Sequence, residues 1–260
     1  MLIGPTNLLA EAMSLPPQFW ISEAIKVAAL YAVMYLSAQL VLRCNVLVNY
    51  TRKINHFAIF FLPILLWLLF DYEQTDGTRI ISSLILLVAL IPLVRPVRRR
   101  VGFFATCFRS IDRPEDRPKT IVWLMTQVVA GYLVVLPVMF LLDQFAAADL
   151  IMIPVLTNAI GDGLAEPVGV RFGRHPYTTR AVFSTARYTR TVEGSACVYL
   201  TAVIVVLAHA AWFTPLQLAA ALLLVPPVMT IAEARAPHTW DTPYLFLAGG
   251  LSVVSVLALV

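Results

Sequence analysis

Long uncharged stretches of apolar residues recur along the chain and are separated by shorter polar segments. Each stretch is close to the roughly 17–25 residues that an α-helix needs to cross the hydrocarbon core of a bilayer. The pattern predicts an all-α, polytopic membrane helical bundle with about eight spans. The predicted spans are residues 20–43, 54–70, 79–97, 120–142, 146–161, 194–213, 215–233 and 243–260. The fifth is short and contains Pro154, so we expect it to be broken or tilted.

Composition supports a membrane protein and argues against a soluble domain. Hydrophobic residues make up 60% of the 260 positions and charged residues 13%, whereas a soluble domain is about 45–50% apolar. The three cysteines show no metal-ligand spacing, so we expect free, packed thiols. No nucleic-acid partner is expected.

Positive charge predicts the orientation of the spans. Arg and Lys cluster after the first, third and fifth predicted spans, whereas segments 71–77 and 143–149 contain neither. Because basic loops remain on the cytoplasmic side, this alternation places both termini on the non-cytoplasmic side. The cytoplasmic-face segments are then residues 44–53, 98–119, 161–193 and 233–242.

The polar clusters of the chain all fall on this predicted cytoplasmic side, near span ends. They are "YTRKINH" (50–56), "GDGLAEPVGVRFGRH" (161–175), "RYTRTVEGS" (187–195) and "EARAPHTWD" (233–241). Their convergence predicts one membrane-embedded catalytic domain, residues 1–260, with a site at the boundary between membrane and cytoplasm.

Two features of these clusters suit phosphate binding. Glycines allow a backbone to approach a ligand closely, and the N–H groups of such turns bind phosphate oxygens. The glycines concerned are Gly161, Gly163, Gly169 and Gly173. Gly194 and Ser195 open the predicted sixth span, where free N–H groups and the helix dipole favour anions.

Charged side chains add a possible magnesium site. Arg174, Arg180 and Arg190 can pair with phosphates through two hydrogen bonds each. Asp162 and Glu166 are four residues apart, so on a helix they share a face, and carboxylates beside phosphate indicate Mg²⁺. Pro167 disfavours helical geometry at Glu166, so an unbroken helix here is not expected. The phosphate-binding motif G-x-x-x-x-G-K-[ST] is absent from the sequence.

Four motifs in order, "RKINH", "GDGLAEPVGVRFG", "RTVEGS" and "AEARAPHTWDTP", resemble the CTP-dependent membrane lipid-alcohol kinases. That family includes dolichol, polyprenol, phytol and farnesol kinases and is related to the fungal CTP-dependent diacylglycerol kinase. The resemblance covers residues 50–245. The residues that match its pattern are Arg52, Lys53 and His56, then Gly161, Asp162, Ala165, Gly169 and Gly173, then Thr191, Glu193, Gly194 and Ser195, and finally Glu233 and Asp241.

The chain departs from the family pattern in three places. Arg190 stands where many members have Lys, and Thr242 stands where Asn is frequent, so a polar contact there is altered or lost. A basic insert, residues 174–190, separates the second and third motifs.

The resemblance implies phosphoryl transfer from CTP to a membrane isoprenoid alcohol, with Mg²⁺. Asp162 would bind Mg²⁺, and Glu166, Glu193 or Glu233 would supply a second ligand. Asp241 or His56 would orient or deprotonate the alcohol. The phosphate-binding set would comprise the motif glycines together with Arg52, Lys53, Arg174, Arg190, Thr191 and Ser195.

Other interpretations stay open at this point. A cytidylyltransferase that makes a CDP-lipid from a lipid phosphate uses the same nucleotide and metal, and a diacylglycerol kinase differs only in its acceptor. A transporter is disfavoured because the sequence shows no internal repeat. The sequence leaves open the particular alcohol, the nucleotide, the membrane, and whether the chain is a monomer or a homodimer.

Overall fold

The chain is largely helical, at 79% of its residues. A computed structural model describes residues 15–70, 72–181 and 184–259. Within those ranges seven helices are long and apolar enough to cross a membrane, which is compatible with the predicted integral membrane bundle. The sixth predicted span corresponds to a shorter apolar helix of 17 residues, Val192–Ala208. Sequence analysis predicts both termini on the non-cytoplasmic side. Residues 1–14 and 260 lie outside the described ranges, so this remains a prediction.

The chain divides into two compact units, with the boundary between Ile121 and Val122. The helices of the first unit are α1 (Pro17–Cys44), α2 (Val48–Leu69), α3 (Asp76–Ala89), α4 (Arg95–Arg98) and α5 (Gly102–Phe108). From the boundary onward the elements are α6 (Thr120–Asp143), α7 (Met152–Leu156), α8 (Gly163–Phe172), β1 (Pro176–Ala181), β2 (Ser184–Thr191), α9 (Val192–Ala208), α10 (Pro215–Arg235) and α11 (Asp241–Leu259).

The outward surfaces of the long helices are apolar. Leu68, Leu133 and Leu223 are 71%, 71% and 79% exposed, respectively. Charged side chains, in contrast, are found among the buried residues, including Glu23 and Glu233. Apolar outside and polar inside is the arrangement expected when the surrounding medium is lipid rather than water.

The core of the second unit lies between α6, α9, α10 and α11. Leu142, Val206, Val225, Met229 and Val253 are fully buried there and belong to one apolar cluster. Helix α10 begins with a capping box, because Thr214 and Gln217 each bond the other's backbone N–H. This core fixes the ends of α10 and α11, where the site described below is located.

The fifth predicted span differs from expectation. Its helical segment runs from Ala148 to Phe172 and is the most buried of the seven candidate spans. The predictions of an end at residue 161 and of a break at Pro167 were therefore wrong. Proline lacks the N–H that would bond the carbonyl four residues earlier, and its ring crowds that carbonyl. The helix Gly163–Phe172 nevertheless continues through Pro167, and a π-helical turn at Thr157–Asp162 precedes it. The burial of this helix shows that tertiary packing overrides the local preference.

A two-stranded antiparallel hairpin, β1–β2, is the part that the all-α prediction omits. It occupies the basic insert of the sequence and pairs Tyr177 with Arg190 and Thr179 with Tyr188. Side chains alternate between the two faces of a strand. Tyr177, Thr179, Tyr188 and Arg190 therefore share one face, whose members are buried or half-buried, whereas Thr178 and Thr189 are exposed on the other.

In the first unit, one ion pair is buried between α1 and α3. Lys26 Nζ lies 2.5 Å from Glu23 Oε2 and donates to Ser82 Oγ at 2.6 Å, and Ser82 donates to Glu23 Oε1 at 3.0 Å. Glu23 and Lys26 are 4% and 3% exposed. Removing one member of such a pair leaves an uncompensated buried charge, whereas removing both does not.

We therefore expect Lys26→Met to lower the melting temperature in detergent strongly, at a cost of about 3–5 kcal/mol. The double variant Glu23→Gln/Lys26→Met should recover most of that loss, because no isolated charge remains. Thermal unfolding of both variants checks this. A double variant as unstable as Lys26→Met would contradict it.

Candidate functional site

Three carboxylates converge in the second unit. One ligand oxygen each from Asp162, Glu233 and Asp241 lies within 4.8 Å of the others. All three side chains are buried, at 6%, 4% and 8% exposure. We call this group the acidic triad. Glu233 is near the end of α10 and Asp241 begins α11, whereas Asp162 ends the π-helical turn inside a longer helix. Two of the three members therefore lie at the ends of span-length helices, and Asp162 lies within one.

Arg190 bridges two members of the acidic triad. Its Nη1 lies 2.5 Å from Glu233 Oε1, and its Nη2 donates to Asp241 Oδ1. The same guanidinium donates to the backbone carbonyls of Glu233 and Ala236. Burial lowers the pKa of Arg190, but the charges of Asp241 and Glu233 raise it by more, so its pKa lies above the ordinary value. Arg190 therefore stays charged.

The charge and spacing of the triad suit a divalent cation. Carboxylate oxygens are the ligands that Mg²⁺ and Ca²⁺ prefer in proteins, and the triad brings three such groups together in a buried place. Two oxygens on one Mg²⁺ lie at most about 4.2 Å apart and on one Ca²⁺ about 5 Å apart, given ligand distances of roughly 2.1 and 2.5 Å. The triad oxygens, within 4.8 Å, thus fit a hard cation after a small contraction for Mg²⁺.

Two hydroxyl groups extend from Glu233 toward the hairpin. Ser195 Oγ donates to Glu233 Oε2 at 2.7 Å, and Tyr177 Oη lies 2.6 Å from Ser195 Oγ. Burial, and then the charge of Glu233, raise the pKa of Tyr177. Sequence analysis placed Ser195 among the phosphate-binding residues, and the structure directs its hydroxyl to the acidic triad.

Two amide side chains support the start of α11. Gln127 Nε2 and Asn158 Nδ2 both donate to Thr242 Oγ1, at 2.9 and 3.2 Å. Thr242 follows Asp241 and stands at the position where the family pattern has Asn. At this position, where we expected a polar contact to be altered or lost, the Thr242 hydroxyl accepts hydrogen bonds from side chains of two different helical segments.

The motif glycines mediate close helix packing. A Cβ added at Gly161 would lie 2.9 Å from Val198 Cα, and one at Gly194 would lie 2.6 Å from the Ala165 carbonyl oxygen. At Gly169 and Gly173 an added Cβ would meet the side chain of Thr191. On the side where a Cβ would lie, these glycines therefore pack against α9 and its cap, and their assignment to phosphate binding remains a prediction.

Several other predicted residues lie apart from the triad's ligand set. Glu193 bonds His175, with 2.7 Å between Oε1 and Nδ1. Thr191 caps α9 by accepting from the Gly194 N–H. Glu166 and Gly163 lie on α8, and Arg174 is exposed after it.

The first motif belongs to the first unit. Lys53 is buried in α2, and the ring of His56 packs against Phe57 and Phe60 with centroids 6.0 and 5.0 Å apart. Arg52 is half-buried on the same helix. The assignments of Arg52 and Lys53 to phosphate and of His56 to the alcohol remain predictions.

Sequence analysis missed Tyr177, Gln127 and Asn158. Tyr177 lies in the basic insert, and only the alternation of side chains along a strand could have marked it as inward-facing. Gln127 is a lone amide in an otherwise apolar span, which is a signal for a buried polar contact.

No protein-family model, curated protein or solved structure matches this chain. The resemblance to lipid-alcohol kinases stands on its four motifs.

We expect Arg190→Gln to destabilise the protein, because breaking a buried ion pair costs about 3–5 kcal/mol. Millimolar Mg²⁺ should restore part of the lost melting temperature, since a divalent cation replaces the missing positive charge. Arg235→Gln, at an exposed arginine of α10, is the matched control. An equal response of both variants to Mg²⁺ would argue against a cation at the triad.

Gly194→Ala should also destabilise, because its Cβ would overlap the Ala165 carbonyl oxygen. Overpacking of this kind costs about 1–3 kcal/mol. The control is Gly102→Ala, where no described atom lies within 4 Å of the new Cβ. Thermal unfolding of the two variants should separate them, and equal stability would show that α8 and α9 can move apart freely.

Proposed function

We propose that this protein transfers the γ-phosphoryl group of CTP to the hydroxyl of a membrane isoprenoid alcohol at the cytoplasmic face. The acidic triad of Asp162, Glu233 and Asp241 is the observation that carries the proposal. The resemblance assigned Asp162 and Glu233 to the metal and Asp241 to the alcohol, and the three carboxylates meet in space. CTP and the alcohol come from the resemblance alone.

The triad fits a magnesium site for this reaction. Mg²⁺ bound there would neutralise charge on the phosphate oxygens, which is the main requirement of phosphoryl transfer. Asp162, Glu233 and Asp241 would hold the ion through carboxylate oxygens, which are the ligands that Mg²⁺ prefers. Arg190 keeps two of these carboxylates in place through its paired hydrogen bonds.

The bonds exchanged define the reaction. The alcohol oxygen forms a bond to the γ-phosphorus, the bond from that phosphorus to the β-phosphate oxygen breaks, and CDP leaves. The proton of the alcohol passes to a base. The resemblance assigned that role to Asp241 or His56, and since Asp241 belongs to the metal-holding triad, His56 is the candidate that the proposal keeps. A weak base suffices, because the transition state is loose and proton transfer contributes little.

An apolar acceptor suits the surroundings of the site. Helix α9 begins close to Ser195, the partner of Glu233, and α10 ends close to Glu233. The outward faces of these two helices include the exposed side chains of Leu200, Ile204 and Leu223. An isoprenoid chain can therefore remain among apolar side chains and lipid while its hydroxyl meets the polar cluster.

The experiment that tests the proposal incubates purified protein with Mg²⁺, γ-labelled CTP and a panel of geranylgeraniol, phytol, polyprenols, dolichol and diacylglycerol. Label in an isoprenoid lipid supports the proposal and identifies the acceptor. Label in diacylglycerol alone would replace the acceptor class. If lipid phosphates and CTP instead release pyrophosphate, the enzyme is a cytidylyltransferase and the proposal fails.

We expect Asp162→Asn to reduce turnover by roughly a hundredfold or more, because a bound metal supplies several kcal/mol of transition-state stabilisation. The control is Asp143→Asn, at an exposed carboxylate at the end of α6. Initial rates with saturating CTP compare the two. Normal turnover of Asp162→Asn would remove this residue from the metal site.

A further inference from the structure

We infer that Tyr177 is a positioning residue of the candidate metal centre, acting on Glu233 through Ser195. The inference rests on the proposed metal-binding role of the acidic triad. Tyr177 belongs to none of the four motifs, and it reaches the site from the hairpin.

The direction of the two hydrogen bonds that link Tyr177, Ser195 and Glu233 follows from counting the available protons. Glu233 Oε2, as a carboxylate oxygen, can only accept, so the 2.7 Å bond takes the single hydroxyl proton of Ser195. Ser195 then has only lone pairs left for Tyr177, and the 2.6 Å bond takes the phenol proton. Tyr177 therefore donates to Ser195, and Ser195 donates to Glu233.

This ordered pair of bonds fixes the orientation of the Glu233 carboxylate. Oε2 is held by Ser195 and Oε1 by Arg190, on the other side. With both oxygens held, the remaining lone pairs of the carboxylate are set relative to Asp162 and Asp241. Hydrogen bonds that orient a ligating carboxylate in this way commonly change metal affinity by about 10–100-fold when removed.

The hairpin in turn fixes Tyr177. Thr179, two residues along the same face of β1, donates to the Ala236 carbonyl at 2.8 Å, and the His238 N–H donates to the Arg180 carbonyl at 2.7 Å. Tyr188, opposite Thr179, stacks on His238 at 3.6 Å between ring centroids. These contacts attach the hairpin to the segment between α10 and α11, so the phenol has a defined position.

The test measures Mn²⁺ binding by electron paramagnetic resonance of the free ion, with purified full-length protein in detergent. Wild type should bind Mn²⁺ in an Asp162-dependent manner. Tyr177→Phe and Ser195→Ala should each raise the Kd by roughly tenfold or more. Because the two groups act in series, the double variant should be no weaker than Ser195→Ala alone. Ser195→Thr keeps a hydroxyl and should bind nearly as wild type.

Matched controls use an exposed tyrosine and a half-buried serine of the same unit. Tyr199→Phe on α9 removes a phenol hydroxyl, and Ser255→Ala on α11 removes a serine hydroxyl. Ser255 Oγ donates to the Leu251 carbonyl of its own helix and not to the triad. Both should leave the Kd unchanged. Melting temperatures of all variants separate a loss of fold from a loss of positioning.

Unchanged Mn²⁺ affinity in Tyr177→Phe would overturn the inference, and so would effects of Tyr177→Phe and Ser195→Ala that multiply in the double variant. Wild type that binds no Mn²⁺ at Asp162 would overturn both the inference and the metal centre. If Mn²⁺ binding follows the expected order but no lipid is labelled from CTP, the inference stands and the proposed kinase activity fails.

Discussion

Carboxylates buried side by side repel one another, and the bridge from Arg190 to Glu233 and Asp241 offsets that repulsion in the second unit. The cost of burying charge makes this bridge a constraint on the surrounding structure. It requires that β2, α10 and α11 meet at one place.

Two further features of the second unit bear on the triad. The hairpin between α8 and α9 supplies Arg190, which reaches Glu233 and Asp241 from outside the helices. Helices α8 and α9 pack at glycine contacts, such as that between Gly194 and Ala165, and this close approach brings Asp162 and Ser195 near the ends of α10 and α11. Packing and charge compensation thus support each other at one end of the unit.

Most of the fold could be predicted from hydrophobic stretches alone, because the length of an apolar run reports directly on a helix that can span lipid. The predicted and observed boundaries of α1, α6 and α10 differ by a few residues. The fifth span was misjudged at Pro167, where a local rule about proline was overridden by burial against neighbouring helices. The division into two compact units, and the hairpin, leave no mark in hydropathy, since both depend on contacts between distant segments.

The sequence by itself supplied candidates for the chemistry: Asp162 and Arg190 could be named because charges are rare in an apolar chain, and Glu233 and Asp241 because they match the motifs of the lipid-alcohol kinases. Only the tertiary structure decided how they are used. It assigned Arg190 to two carboxylates, turned Ser195 toward Glu233, and gave Glu193 to His175 instead of the triad. It also added Tyr177. The physical reason is that a hydrogen bond depends on a distance of about 3 Å and on direction, and residue spacing along a chain specifies neither for segments joined only by folding.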